Sequence, residues 1–150
     1  MTDIRNEPIE TPTAPAGRSM MQWAIVAWAI SAVLTAVGTF WDLTDNDSGE
    51  DGSDEVVGWL ILMAVLAAIT FAVYRFWFGA AARAQVAPNT VLVAGVLAVV
   101  TVVAFWSGLP AVFAVGALVL GRRGGGPKAT IGTVLALLAL AAAVWGAIAG

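Results

Sequence analysis

The sequence predicts an all-α, polytopic membrane protein built as a bundle of five transmembrane helices, and three observations carry that expectation. Of its 150 residues, 60% are hydrophobic and 11% charged, whereas an ordinary soluble domain has about 25% charged residues. The apolar residues gather in charge-free runs at 19–41, 56–74, 90–121 and 129–150, on the scale needed for a hydrocarbon core of about 30 Å at about 1.5 Å per helical residue. All seven Lys and Arg lie outside these runs. The net charge of −3 therefore reflects segregation by side rather than a uniformly acidic surface.

Residues 1–18 carry Pro8, Pro12 and Pro15 without helical or strand periodicity, so a disordered cytoplasmic tail is expected. Thr11, followed by a proline, and Thr13 offer a modification or docking segment there; a plain spacer is the alternative. Residues 20–41 form the first crossing. Arg18 and Ala36-Val37-Gly38 imitate a signal peptide, but the apolar run exceeds the usual h-region of about 7 to 15 residues, which favours an uncleaved helix.

The loop at 42–55 holds seven carboxylates and no cation, so the chain surfaces there. Residues 56–74 return across the membrane and end in Arg75-Phe76-Trp77-Phe78, a composition suited to the headgroup boundary. The small residues that follow prolong this helix or lie along the interface until Pro88. The next 32 charge-free residues, 90–121, would reach about 48 Å as one straight helix, too far for one crossing. Ser107-Gly108-Leu109-Pro110 supplies the fold-back. The two short helices expected are 90–106 and 110–121, and the second requires bilayer thinning or shielding by its neighbours. A Gly-rich basic link at 122–128 leads to the fifth helix, 129–149.

With the N-terminus inside, five crossings put Arg5, Arg18, Arg75, Arg83, Arg122, Arg123 and Lys128 on the cytoplasmic side and no cation outside, as the positive-inside rule requires. The C-terminus is then outside. Omitting the short fourth crossing would move Arg122, Arg123 and Lys128 to the outer face. Trp23 and Trp77 then fall near the inner boundary, Trp41, Trp59, Trp106 and Trp145 near the outer one, and Trp28 deeper.

The chain has neither cysteine nor histidine, which removes disulfides, thiolate ligands and the usual neutral-pH base. No ionisable residue falls within the five spans, in contrast to ion-coupled transporters and voltage sensors. Ser107 has no base beside it in sequence, and the outer carboxylates sit where water leaves their acidity untuned. Neither catalysis nor a cofactor is expected, nor is a nucleic-acid partner. Asp45, Asp47 and Asp51 are weak candidates for an external cation, since their spacing departs from a calcium loop and Gly58 stands where the closing Glu belongs. Asn46-Asp47-Ser48 matches a glycosylation sequon.

Small residues recur at four-residue spacing as Ala27, Ser31 and Thr35; Ala64, Ala68 and Ala72; and Gly132 with Ala136, then Ala142 with Gly146 and Gly150. Such stripes let helix backbones approach closely, either against a partner or within the bundle. The hydroxyls of Ser31, Thr35, Thr70, Thr101 and Thr133 could line a hydrophilic path or bond their own backbone carbonyls.

Residues 88–150 resemble the small Gly- and Ala-rich hairpin modules of unknown function in multi-pass proteins of actinobacteria. The likeness lies in the hairpin at Gly108-Leu109-Pro110, the Leu-Gly-Arg-Arg exit at 120–123, the Gly-rich basic link and the Ala-Thr-Ile-Gly-Thr-Val-Leu opening at 129–135. It implies a plasma-membrane location and supplies no activity. The function expected is that of a small integral membrane interaction or scaffold protein, embedded in the lipid bilayer and associating with itself or another membrane protein. A transporter or channel subunit is the alternative, and a sensor of external cations through the acidic loop the third reading.

Overall fold

The computed structural model describes residues 16–40, 53–84 and 87–149, which are helical apart from short turns and contain no strand. Thr11, Thr13, Asp45, Asp47 and Asp51, and with them the tail and most of the acidic loop, lie outside the described residues. Helix α1 runs Ala16–Phe40 and α2 Ser53–Ala72. The chain then continues through a π-helical segment, Val73–Phe78, directly into α3, Gly79–Ala84. The residues after 74 thus prolong the helix. Helix α4, Ala87–Thr101, passes through a 3-10 segment, Val102–Ser107, to a turn at Gly108; α5 is Leu109–Gly121 and α6 Pro127–Ala149.

Three spans, Met20–Phe40, Val56–Ala84 and Pro127–Ala149, are long and apolar enough to cross a membrane, and Pro88–Ala104 and Leu109–Gly121 are shorter apolar helices. The breaks fall where backbone chemistry puts them. Gly108 has φ +72 and Pro110 stands in the first turn of α5, which is the left-handed entry that glycine permits and the proline start that needs no amide donor. Ala104 leaves helical geometry just before it (φ −111, ψ 46). At the other end of α5, the amides of Arg122, Arg123 and Gly124 bond back to Leu118 and Leu120.

Helices α4, α5 and α6 pack closely on one another; α1 lies against α5, α2 and α6, while α2 meets the rest chiefly through α1. Short α5 sits at the centre, with Ala111, Val112, Ala114, Ala117 and Leu120 at most 1% exposed. Shielding by neighbours thus accompanies its short length. The interior is graded by size: among the described residues thirteen of the 23 buried hydrophobic ones are alanine, whereas Ile25, Ile61, Ile69, Ile131 and Ile148 are exposed. Large apolar side chains facing outward around a small-residue interior reverse the usual soluble arrangement and suit helices whose association rests on close packing.

The closest approach joins α4 to α6. A Cβ placed on Gly132 would collide with the Val91 carbonyl, and one on Gly95 with the Gly132 carbonyl. The neighbours are backbone and cannot swing aside. Gly132→Ala should therefore lower stability by about 1–3 kcal/mol, the range for overpacking a filled site, while Ala142→Leu on the exposed side of α6 should leave it unchanged. Thermal unfolding of the detergent-purified protein followed by circular dichroism tests both; a G132A protein as stable as wild type would refute the close contact.

Candidate functional site

Ser31, Thr35, Trp28, Trp59 and Tyr74 make hydrogen bonds that pass from one part of the bundle to another. Ser31 Oγ lies 2.9 Å from the Ala27 carbonyl of its own helix and 2.9 Å from the Gly108 carbonyl across the bundle. With one proton to donate, it shares that proton between them. Thr35 Oγ1 donates to the Ser31 carbonyl at 2.9 Å and accepts from Trp59 Nε1 at 3.2 Å. Trp28 Nε1 donates to the Met63 carbonyl (3.2 Å), and the Tyr74 hydroxyl to the Val112 carbonyl (3.0 Å). Thr70, Thr101 and Thr133 each donate to a carbonyl one turn earlier. Among the described residues, no buried side-chain nitrogen or oxygen lacks a partner.

These bonds fix the depth of the turn. Ser31 is the twelfth of the 21 residues in the span Met20–Phe40, and Leu66 is the eleventh of the 29 in the span Val56–Ala84. A Cβ on Gly108 would lie 2.9 Å from both Ser31 Cβ and Leu66 Cδ2. The turn between α4 and α5 thus sits beside the middle of the first span and well inside the second, away from the ends of both, and Gly108 and Pro110 are buried. Ser107 supports it locally, its hydroxyl donating to the Ala104 carbonyl and accepting from the Leu109 amide.

The small-residue stripes fall differently from one another. Ala27, Ser31 and Thr35 all face the interior, as do Gly132 and Ala136. Ala64, Ala68 and Ala72 are all exposed; α2 turns Met63, Leu66, Thr70 and, in the π segment, Tyr74 inward instead. The Tyr74 hydroxyl supports that orientation, because it reaches the Val112 carbonyl of α5 only from the inner face. On α6, Ala142 is exposed and Gly146 half-buried, and the inward stripe is Ala129, Gly132, Ala136, Ala139, Ala143 and Ala147. Steps of three and four track one helix face, whereas a strict step of four drifts around it.

The described cations share one end of the bundle. Lys128 Nζ bonds Asn89 Oδ1 at 3.0 Å, which sets the beginnings of α4 and α6 side by side. Arg122 lines a cavity of about 170 Å³ with Trp23, Ile30 and Leu140. Arg75 and Arg83 line another, of about 250 Å³, with Met20 and Met21. Among the described residues there is no His, Cys, Asp and Glu grouping able to hold a metal ion. The gathering of these cations at one end agrees with the single side to which the sequence assigns them, whereas the cavity between Arg75 and Arg83 is not visible from residue spacing, since the π segment has no sequence signature. No protein-family model, curated protein or solved structure matches the chain.

Removing the Ser31 hydroxyl leaves the Gly108 carbonyl without its side-chain donor at almost unchanged volume. Ser31→Ala should cost about 1–3 kcal/mol, the penalty for an unsatisfied buried polar group. Thr101→Val, which removes a bond only to its own preceding turn, should stay within about 0.5 kcal/mol. Equilibrium unfolding in mixed detergent compares them, and equal losses would show that the bond to the turn has no special weight.

Proposed function

We propose that this chain is a non-catalytic integral protein of the plasma membrane that serves as an interaction or scaffold subunit, associating with itself or another membrane protein through the outer face of α2. The carrying observation is the stripe Ala64, Ala68 and Ala72, exposed on a long helix that meets its own bundle chiefly through α1. Small residues allow the close backbone approach by which helices associate in lipid. The likeness of residues 88–150 to actinobacterial membrane hairpins supports the location. A conducting path draws no comparable support, because the hydroxyls of Ser31, Thr35, Thr70 and Thr101 all lie within bonding distance of backbone carbonyls.

The topology we infer has three crossings, by α1, by α2 with α3, and by α6, while α4 and α5 form a re-entrant hairpin that enters and leaves on the cytoplasmic side. Its support is the level of Gly108 beside Ser31 and Leu66. At 15 and 13 residues, α4 and α5 have about 22 and 20 Å of regular helix, short of a core of about 30 Å. Non-helical backbone is tolerated at membrane depth where protein encloses it. The positive-inside pattern is kept, since a re-entrant pair leaves Arg122, Arg123 and Lys128 on the side where five crossings would place them.

The absence of native cysteine makes both parts testable. Ala68→Cys should form disulfide-linked dimers, or conjugates with one defined partner, in oxidised native membranes, whereas the inward-facing Ala136→Cys should not; absence of crosslinks at Ala64, Ala68 and Ala72 alike would remove the interface. For the topology, Trp106→Cys, 61% exposed on the flank of the bundle, should resist a membrane-impermeant maleimide from both sides, while Asp47→Cys labels from outside and Gly125→Cys from inside. Outside labelling of W106C would restore the five-crossing arrangement.

A further inference from the structure

Arg75 and Arg83 stand eight residues apart, Arg75 within the π segment Val73–Phe78 and Arg83 near the end of α3. Eight steps of about 100° would leave them about 80° apart around an uninterrupted α-helix. Each residue of a π segment turns by less than in an α-helix, so the widened turns after Arg75 reduce that angle. Both guanidinium groups accordingly line the same cavity, of about 250 Å³, where Gly79 leaves the wall without a side chain. Met21 and Phe76 complete it on the apolar side, Phe76 being 70% exposed with its ring centroid 5.9 Å from the Arg75 guanidinium carbon. Among the described residues, no carboxylate lines it.

We propose that this cavity binds an anionic phospholipid, with Arg75 and Arg83 holding the phosphodiester and an acyl chain lying over Met21 and Phe76. Guanidinium forks match phosphate oxygens in charge and geometry. The apolar half of the wall gives a free phosphate nothing to bind, but it continues naturally into the path of a lipid tail. The site stands at the cation-bearing end of the apolar helices, where anionic headgroups are recognised. It rests on the membrane-embedded reading and not on self-association, so crosslinking at Ala68 can fail while lipid binding stands.

Native mass spectrometry of the full chain, purified in mild detergent and titrated with phosphatidylglycerol or phosphatidylcholine, tests the assignment. Wild type should prefer phosphatidylglycerol, and R75Q/R83Q should lose about thirtyfold in affinity for it, the equivalent of two interfacial cations, with a smaller loss toward phosphatidylcholine, whose choline cation offsets the same phosphodiester. R122Q/R123Q, at the same end but outside this cavity, should bind as wild type does. Arg83→Gln alone, at an exposed position near the end of α3, should show an intermediate loss and guards against misfolding of the double variant. Undiminished phosphatidylglycerol binding by R75Q/R83Q, or equal wild-type affinity for both lipids, would overturn the site. Displacement of bound lipid by millimolar glycerol 3-phosphate would assign the arginines to a soluble phosphate instead.

Discussion

The hydrogen bond from Ser31 to the Gly108 carbonyl is the constraint on which the bundle's arrangement turns. A chain that reverses direction among apolar helices leaves backbone groups without water or a helical partner, and each such group costs several kcal/mol in hydrocarbon unless protein supplies the missing bond. Ser31 supplies it at 2.9 Å. Thr35, one turn further along α1, holds Trp59 of α2, and Trp28 holds the Met63 carbonyl. One face of α1 thereby anchors both the turn and its neighbouring helix. The Tyr74 bond to Val112 performs the same service from α2 to α5, using the second lone pair that a helical carbonyl retains.

Centring the bundle on a 13-residue helix determines what the other helices must present. The close contacts around α5 leave room for alanine and glycine, and α6 answers with six small residues in succession along its inward face. Many of the leucine, isoleucine and valine side chains then face outward, Val33, Ile61, Val100 and Leu138 among them. Hydrophobic transfer cannot drive this segregation inside a bilayer, because both environments are apolar. Close packing and the few interhelical bonds supply the preference.

The helices were legible in the sequence because charge, proline and glycine mark their ends: Pro88, Gly108 with Pro110, and Pro127 each stand at a helix start or the turn before one. The faces were legible only where polarity varied. On α1, Ser31 and Thr35 single out a side, and that side is buried. On α2, the alanine stripe suggested a contact, yet the inward face belongs to Met63, Leu66, Thr70 and Tyr74, since spacing among uniformly apolar residues does not reveal which side must satisfy a hydroxyl. The depth of the turn was equally hidden. A charge-free run of 32 residues folds back at the same Gly-Pro signal whether it crosses the membrane twice or returns from the middle, and both options leave the cations on one side.

The π segment connects the interior to the charged end. Its inward residues, Tyr74 and Phe78, meet α5 at the Val112 carbonyl and over Gly116, and the two rings pack edge to face with centroids 4.9 Å apart. Tyr74 must face α5 to place its hydroxyl, and Phe78 must lie four residues later to occupy the space that Gly116 leaves open. Ala81 remains buried three residues beyond Phe78, so the helix keeps its inner face through the widened turn. Away from that inner face, Arg75 and Arg83 are exposed. The same segment that seats two aromatic rings against the central helix therefore brings two guanidinium groups onto a common cavity, and the electrostatics of that end follow from how its core is packed.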